Sequence, residues 1–495
     1  MRADNQNSKK GIATLELLIA FSFLALAMTG AVLVSFGGQT SNLDVNLTSK
    51  GFSHIASSFE KNTAAAIAGW DSFASASETK DIYTLGRVVL NISECMKQVS
   101  TNASWVTEKN RGQGIALVTL QGSTTTARAL GGDCTEFTSE KKWDDPQRFA
   151  FDTLSPGKST TIDVFSKIAY LGFDKEPFWA IADTRGAVLD KNNAQDFFVT
   201  FANSFNSDGE AMDQVNDIDV YKDNATGKSY AFVALASTTA QFGVIDVTDI
   251  YNPVLVVTRQ LSGITAPNSS AWGWRIYYYA GRLYITARET AGPELHIFDV
   301  SDPMNPSEIG KKELNTTVND FVVRDGIAYF ADESDTRGEL LIYDVSNPIF
   351  TDPNSIFELT NASRNLPGNQ NGASIFLLGG RLYFGREAVS GGPELYVFDA
   401  SDPRAASGGV PTIGTPTEIG ASVWGINVTG RFGFLVTSKP GEEFQVWNIS
   451  DFINPTLIKK YNFGNIVAGG IDYEPDFIYA TGSATPNFQI LWSPT

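Results

Sequence analysis

The sequence predicts a multidomain chain, in which an N-terminal long transmembrane α-helix and a small α+β head precede an all-β seven-bladed β-propeller. Two observations predict it: an apolar segment at residues 12–36, and a set of similar strings that recurs from residue 160 onward. The 495 residues are 42% hydrophobic, enough to bury several cores at about 150 residues per domain. The predicted segments are 1–11, 12–70, 71–147 and 148–495.

Charge and composition exclude several classes of function. The chain has 37 Lys and Arg against 55 Asp and Glu, a net charge of −18, so nucleic acid is not an expected partner. Only two His and two Cys occur, too few for a zinc ribbon. No nucleophile elbow, phosphate loop or paired-His motif is present in the sequence. The sequence therefore predicts no catalytic residue, no metal site and no cofactor.

The N-terminal apolar segment predicts where the protein is located. From Leu17 to Phe36 no residue is charged, and about 20 apolar residues span a bilayer as a helix. Lys9 and Lys10 precede this segment, so the positive-inside rule keeps the start of the chain cytoplasmic. The predicted localisation is the inner or cytoplasmic membrane, with a single pass and the C-terminus outside.

The string KKG followed by IATLE resembles the prepilin leader of type IV pilins and pseudopilins. The resemblance implies cleavage between Gly11 and Ile12, N-methylation of Ile12, and an assembly role for the Glu16 carboxylate. Phe is commoner than Ile at the first mature position, which is a departure from the pattern. A carboxylate in an apolar helix costs a few kcal/mol unless it is paired. An uncleaved signal anchor is the alternative.

The same resemblance implies partners and a final location. The partners are a prepilin peptidase, other pilin subunits contacted through the N-terminal helix, and the membrane before assembly. The final location is an extracellular filament or the cell surface, and residues 71–147 become a pilin-like head. Because Cys95 and Cys134 would then lie in an oxidising compartment, they are predicted to form a disulfide. Such a bond stabilises by about 3 to 4 kcal/mol in the chain-entropy model.

Recurring strings fill residues 160–495. One string contains an Asp or Asn before a turn, as in HIFDVSDPMNP, and a second lies upstream and contains an aligned aromatic residue. Four short strands in each unit of roughly 45 to 60 residues are typical of a propeller blade. The strings resemble the repeats of the LVIVD family. The seven aligned aromatic residues are Tyr170, Phe232, Tyr284, Tyr329, Tyr383, Phe434 and Tyr479.

The last unit lacks an outermost strand. The segment RFAFDTL, residues 148–154, is predicted to pair beside residues 488–492 and close the ring. An open sheet edge would otherwise invite association with another chain. The alternative places this segment in the small head.

Aromatic and basic residues at the starts of two innermost strands are candidate ligand-binding residues. They are Trp272, Trp274 and Arg275 in AWGWRI, and Trp424 in SVWGIN. Aromatic and Arg side chains dominate binding surfaces, although packing between blades is the alternative. The loop ADESDTRGEL contains Asp332, Glu333, Asp335 and Glu339; it does not have calcium-loop spacing and is predicted to be a solvated acidic loop.

The predicted function is a minor type IV pilin or pseudopilin that displays the propeller on a filament as an adhesive head for a cell-surface glycan or protein. The protein is not expected to be an enzyme. One alternative is a pilin-anchored propeller enzyme that acts on glycans; a buried acidic pair with raised pKa values in the channel mouth would favour it. Another is a structural pseudopilin of a secretion system. A fold of this kind does not decide between these functions.

Overall fold

The structure is a computed structural model in which the chain forms two compact units. The described residues are 42–68, 73–93, 96–106, 112–122, 143, 145–152, 158–185, 198–202, 214–223, 226–264, 271–288, 290–333, 337–388, 392–429, 432–449, 454–463, 468–474, 477–482 and 488–493.

The first unit is a helix packed on an antiparallel sheet. Helix α1 spans Asn42–Ala68, and the sheet has the order β1 (Ala76–Lys80), β2 (Tyr83–Ser93), β3 (Met96–Val106) and β4 (Gly112–Gly122). Buried and exposed residues alternate along the second half of β3, so one face of the sheet supplies the core. That core consists of Ile55, Tyr83, Leu85, Ala103 and Trp105. The Tyr83 hydroxyl donates to the Leu47 carbonyl at 2.7 Å, which ties strand to helix.

The structure corrects the predicted fold class. The described residues are nearly all β, and α1 is their single α-helix. Lys50, Glu60 and Lys61 are exposed on it, and it is not apolar enough to cross a membrane. A long transmembrane helix joined to a pilin-like head is therefore not supported. The apolar segment 12–36 lies outside the described residues.

The predicted localisation is corrected by the same finding. In the ranges that the structure describes, no helix combines the length and the apolar composition that a single membrane pass requires. The predicted single pass with the C-terminus outside is therefore not supported. Residues Gly11, Ile12 and Glu16, and also Cys95 and Cys134, lie outside the described residues.

The second unit is a propeller of seven sheets, counted over the described residues. The first three blades are β6 (Ser159–Phe165), β7 (Ile168–Phe173), β8 (Trp179–Asp183), β9 (Phe198–Ala202); β10 (Val215–Lys222), β11 (Ser229–Leu235), β12 (Phe242–Asp246), β13 (Val254–Arg259); and β14 (Gly273–Tyr279), β15 (Arg282–Ala287), β16 (Leu295–Asp299), β17 (Ser307–Lys312). Each is a four-stranded antiparallel sheet.

Blades 4 to 6 continue the same order. They are β18 (Val318–Arg324), β19 (Ile327–Asp332), β20 (Leu340–Asp344), β21 (Phe357–Glu358); β22 (Gly372–Leu378), β23 (Arg381–Arg386), β24 (Leu395–Asp399); and β25 (Val423–Thr429), β26 (Phe432–Thr437), β27 (Phe444–Asn448), β28 (Thr456–Tyr461). Short 3-10 helices span Pro353–Ser355 and Pro403–Ala405. Blade 5 has three strands, and isolated bridges from Leu395 to Thr417 and from Phe398 to Thr412 occupy the place of a fourth.

Blade 7 closes the ring. It contains β29 (Ala468–Glu474), β30 (Phe477–Gly482), β31 (Phe488–Trp492) and, as its outermost strand, β5 (Gln147–Asp152). Phe488 faces Asp152 and Trp492 faces Gln147 in an antiparallel ladder, which confirms the predicted pairing. The seven innermost strands follow one another in a circle, since β29 also contacts β6. A central channel runs through this circle.

Repeated side chains hold each blade together. The seven aligned aromatic residues all lie on second strands and are all buried. At the end of the third strand an Asp caps the turn: Asp299 Oδ1 accepts from the Ser301 backbone N–H at 2.9 Å, and Asp399 does the same with Ser401 at 3.0 Å. The repeated strings therefore encode one aromatic core position in every blade and an Asp-capped turn in blades 1 to 5.

Candidate functional site

Each innermost strand of blades 1 to 6 has an irregularity at its second residue. The register against the second strand shifts there by one residue, as in a β-bulge, and a bulge re-aims the side chain that it inserts. These residues lie on the face where the loops between second and third strands also emerge. The bulged residues are Thr160, Asn216, Trp274, Asn319, Ala373 and Trp424.

In three blades the bulged side chain bonds to the next blade. The Thr160 hydroxyl donates to the Val215 carbonyl, Asn216 Nδ2 donates to Gly273 at 2.7 Å, and Asn319 Nδ2 donates to Gly372 at 2.8 Å. Gly273 lies so close to its neighbour that an added Cβ would be 1.9 Å from the Gln241 carbonyl oxygen, which explains the glycine in AWGWRI.

Trp274 and Trp424 depart from this pattern. Both are half-buried, and each indole N–H is buried without a hydrogen-bond acceptor among the described residues. Blades 3 and 6 are three blades apart, so the two rings lie on opposite sides of the channel. Their positions leave two unused donors at the same end of the channel.

Two guanidinium groups lie over the Trp274 ring. The Arg288 Cζ is 4.7 Å and the Arg275 Cζ is 5.2 Å from its centroid. Arg275 also donates from Nε to the Asn319 carbonyl at 2.5 Å, whereas the half-buried Arg288 side chain has no hydrogen bond or ion pair among the described residues. The Arg288 backbone N–H donates to the Trp272 carbonyl at 3.4 Å. We call Trp272, Trp274, Arg275, Arg288 and Trp424 the channel mouth.

Carboxylates line the channel below the channel mouth. In blades 7, 1 and 2 one such carboxylate lies on the innermost strand, opposite the aligned aromatic residue of the second strand. The pairs are Asp472–Tyr479, Asp163–Tyr170 and Asp219–Phe232. Each accepts a backbone N–H from the next innermost strand. Asp472 accepts from Val164 at 2.7 Å, Asp163 from Val220 at 2.7 Å, and Asp219 from Tyr278 at 2.6 Å. These bonds tie blade to blade, including across the closure of the ring.

The channel carboxylates are hard to ionise. Burial raises the pKa of Asp219 to about 7 and that of Asp320 to about 7, because the surrounding blades exclude bulk water. Burial and then the neighbouring Asp472 charge raise the pKa of Asp163. Because the Asp472 charge opposes ionisation of Asp163, the two carboxyl groups do not titrate independently. Arg275 partly offsets the effect of burial on the pKa values of Asp217 and Asp320.

The structure places the four predicted ligand-binding residues at one end of the propeller. Trp272, Trp274 and Arg275 lie together at blade 3, whereas Trp424 lies across the channel. No group of three or more His, Cys, Asp or Glu side chains in the described part of the chain is arranged to hold a metal ion. His296 is fully buried between Glu308 and the Pro293 carbonyl, at 2.7 and 2.8 Å, and faces no open surface.

The predicted solvated acidic loop is wrong for two of its residues. Asp332 and Glu339 are buried, and Asp335 lies outside the described residues. Glu339 Oε1 is 2.9 Å from the buried Arg386 of blade 5, and Glu339 Oε2 accepts the Leu366 backbone N–H at 2.7 Å. Burial nevertheless raises the pKa of Glu339. This acid joins two blades instead of facing water.

Sequence reasoning missed a repeated acid at the start of the third strand. Glu294, Glu394 and Glu443 each accept backbone N–H groups from the loop that leads to the next blade, with shortest distances of 2.6, 2.8 and 3.0 Å. Gln241 does the same with Leu261 at 2.9 Å. The signal was present in the sequence, since a Glu or Gln stands just before the apolar third-strand string in GPELHIF, GGPELYVF, GEEFQVW and AQFGVID.

Comparison with known proteins supports the repeat. Residues 290–313, which include β16, match the family model described as the LVIVD repeat, and this confirms the resemblance for that stretch. No curated protein matches the chain significantly.

Several solved structures are similar in fold. The Myceliophteria thermophila Cps50 (Swd1) beta-propeller domain is 13% identical and covers 71% of this chain and 100% of that chain, with a TM-score of 0.47. The structure described as YCF48 bound to D1 peptide is 10% identical, covers 70% and 98%, and has a TM-score of 0.45. Kuenenia stuttgartiensis hydrazine synthase is 9% identical, covers 72% and 98%, and has a TM-score of 0.44. At these values the likenesses carry no argument about function.

Proposed function

We propose that this chain is a minor pilin or pseudopilin whose propeller is a non-catalytic binding head, with the channel mouth as its binding surface. The observation that supports binding is the pair of unused indole donors at Trp274 and Trp424, in positions where other blades complete a hydrogen bond. A buried donor without an acceptor costs about 1 to 3 kcal/mol, which an acceptor on a ligand would offset if the half-buried ring turned its N–H outward. The proposed ligand is a cell-surface glycan or protein.

The pilin part of the proposal rests on the leader-like string at Lys9, Lys10 and Gly11, with Glu16 at the fifth position after the cut. Its partners are a prepilin peptidase and other pilin subunits. Nucleic acid is not a proposed partner, because the net charge is −18.

We expect the mature protein to begin at Ile12. A peptidase that recognises the basic residues and Gly11 would cut before the apolar segment, and Gly11→Arg should leave the leader attached. Mass analysis of N-terminal peptides from the native host measures both. Retention of Met1 in all of the unaltered protein would contradict the pilin part and leave the binding role of the propeller untouched.

We expect the combined change Trp272→Ala, Trp274→Ala and Trp424→Ala to weaken ligand binding by at least tenfold, since aromatic anchors dominate binding energy. Binding of the full-length protein to an array of glycans and surface proteins measures this. Tyr251→Ala is the matched control, because that ring is 63% exposed in a turn between third and fourth strands, on the opposite face.

Melting temperature separates binding from packing in this experiment. If the triple variant binds normally, the channel mouth is not the binding surface. If its melting temperature collapses while Tyr251→Ala is stable, the tryptophans serve to pack the blades.

One observation favours a second candidate function, a glycan-acting enzyme. Asp163 and Asp472 form the buried acidic pair that such an enzyme would need. One fact weighs against it: both carboxyl groups accept backbone N–H groups from the next innermost strand, so both already have a structural role. New reducing ends released from a glycan by the purified protein, and lost in Asp163→Asn, would favour the enzyme.

A further inference from the structure

Arg288 is the uncompensated cation of the channel mouth. Its guanidinium has five N–H donors, and among the described residues none is used in a hydrogen bond or ion pair. The side chain is half-buried and held over the Trp274 ring at 4.7 Å, so part of its conformational freedom is already lost before any ligand binds.

Arg275 is compensated by contrast. It donates to the Asn319 carbonyl, and its charge partly offsets the rise in pKa that burial causes at Asp217 and Asp320. The two guanidinium groups therefore differ: Arg275 uses its donors within the propeller, whereas those of Arg288 have no acceptor among the described residues.

We propose that the channel mouth binds an acidic polysaccharide, through an oxyanion of a sugar that accepts hydrogen bonds from the Arg288 guanidinium. This rests on the binding function proposed above and names its ligand class. The planar fork of an Arg matches the two oxygens of a carboxylate, and charge-assisted bonds of this type are about twice as strong as neutral ones.

The aromatic surroundings favour a sugar over an acidic peptide. A uronic acid carries its carboxylate next to the apolar face of a ring. The half-buried Trp272, whose carbonyl accepts the Arg288 backbone N–H, is the residue proposed to stack on that face. The buried indole donor of Trp274 has no acceptor, and a sugar hydroxyl or ring oxygen would supply one if the half-buried ring turned. An acidic peptide also supplies carboxylate and carbonyl acceptors, but its Asp and Glu side chains have no ring face next to the carboxylate.

The net charge of −18 does not prevent this binding. At physiological ionic strength exposed charges are screened beyond about 8 Å, so distant acids contribute little. Among the channel carboxyl groups, burial raises the pKa values of Asp219 and Asp320 to about 7, so part of their negative charge is absent near pH 7. Added salt is nevertheless expected to weaken binding, because the central contact is ionic.

Binding of the full-length protein to immobilised polymers tests the proposal. The probes are polygalacturonate, dextran sulfate, neutral dextran and poly-glutamate, and the readout is the dissociation constant. We expect polygalacturonate to bind, neutral dextran to bind at least tenfold more weakly, and Arg288→Gln to weaken polygalacturonate binding about tenfold, the loss of one charged hydrogen bond. Arg288→Lys, which keeps the charge but not the fork, should recover part of the affinity.

Lys222→Gln is the matched control. Lys222 is exposed at the far end of its innermost strand, so this variant removes the same charge from the opposite face and should bind normally. If Arg288→Gln fails to fold, competition by free galacturonate against the polymer on the unaltered protein gives the same information without a variant.

The outcomes separate the sources of the oxyanion. If Arg288→Gln weakens binding of polygalacturonate and dextran sulfate equally, Arg288 binds carboxylate and sulfate groups alike. If it weakens binding of polygalacturonate alone, Arg288 is specific for a carboxylate. Poly-glutamate binding as tight as polygalacturonate binding would overturn the polysaccharide, as would absence of binding to both acidic polysaccharides. Equal binding of neutral dextran, unchanged by Arg288→Gln, would overturn the role of Arg288 while leaving the binding head intact.

Discussion

Replacing Glu339 with Ala is expected to lower the free energy of unfolding of the propeller by about 3 to 5 kcal/mol, because it leaves the charge of Arg386 buried without its carboxylate. The two side chains are 0% and 3% exposed and lie 2.9 Å apart, and they join blades 4 and 5. The change also removes the acceptor for the Leu366 N–H. Denaturant unfolding followed by circular dichroism measures the loss.

Glu358→Ala is the matched control. Glu358 pairs with Arg337 at 3.7 Å near the surface, and such pairs contribute about 0 to 1 kcal/mol. Equal losses in the two variants would show that the buried pair has no special role. Replacing both Glu339 and Arg386 with Met should recover part of the loss, since no unpaired charge then remains.

The second large effect is a loss of stability as pH rises from about 4 to 8. Burial raises the pKa values of Asp163, Asp219, Asp320 and Asp472 above the value of about 3.9 expected in an unfolded chain. Over this range the folded state therefore binds more protons than the unfolded state, and stability falls as pH rises. The stabilisation is complete below about pH 4 and is lost as pH passes the raised pKa values, which are about 7 for Asp219, Asp320 and Asp472.

Asp472→Asn isolates one of these groups. The amide oxygen can still accept the Val164 N–H, while the charge that opposes Asp163 is gone. We expect this variant to melt a few degrees higher than the unaltered protein at pH 8 and about equally at pH 5, as a change of about 1 kcal/mol would produce. Asp472→Ala, which loses the acceptor, should melt lower at both values. A melting temperature of the unaltered protein that rises from pH 5 to pH 8 would contradict the assignment.

The propeller could be predicted from sequence because its signals are local and repeated. In each capped turn the Asp side chain accepts a hydrogen bond from the backbone N–H two residues later. One short repeated sequence therefore contains both partners. Closure by β5 was predictable because the last repeat lacks its outermost strand and the strand-like segment 148–154 belongs to no repeat. The expected membrane helix is the part that the described residues do not support, since α1 carries charged residues along its length.

The channel carboxylates and the contacts between blades were harder to predict from the sequence. Glu339 looked solvated because acids surround it in the sequence, whereas its partner Arg386 is 47 residues away and belongs to the next blade. Arg288 received no role in ligand binding, because nothing local indicated that it lies over Trp274. The channel carboxylates did carry a signal, the recurring strings TIDV, DIDV and GIDY, but among 55 acids only the strand register identifies it.

Closure by β5 also sets the order of events during synthesis. β5 leaves the ribosome before blade 1, and its partner β31 follows only after six blades have been made. At about 5 to 20 residues per second, β5 waits on the order of tens of seconds for that partner. A nascent chain therefore exposes a single unpaired strand whose complement is identical in every other copy. Crowded translation would favour exchange, in which the β5 of one molecule completes the last blade of another.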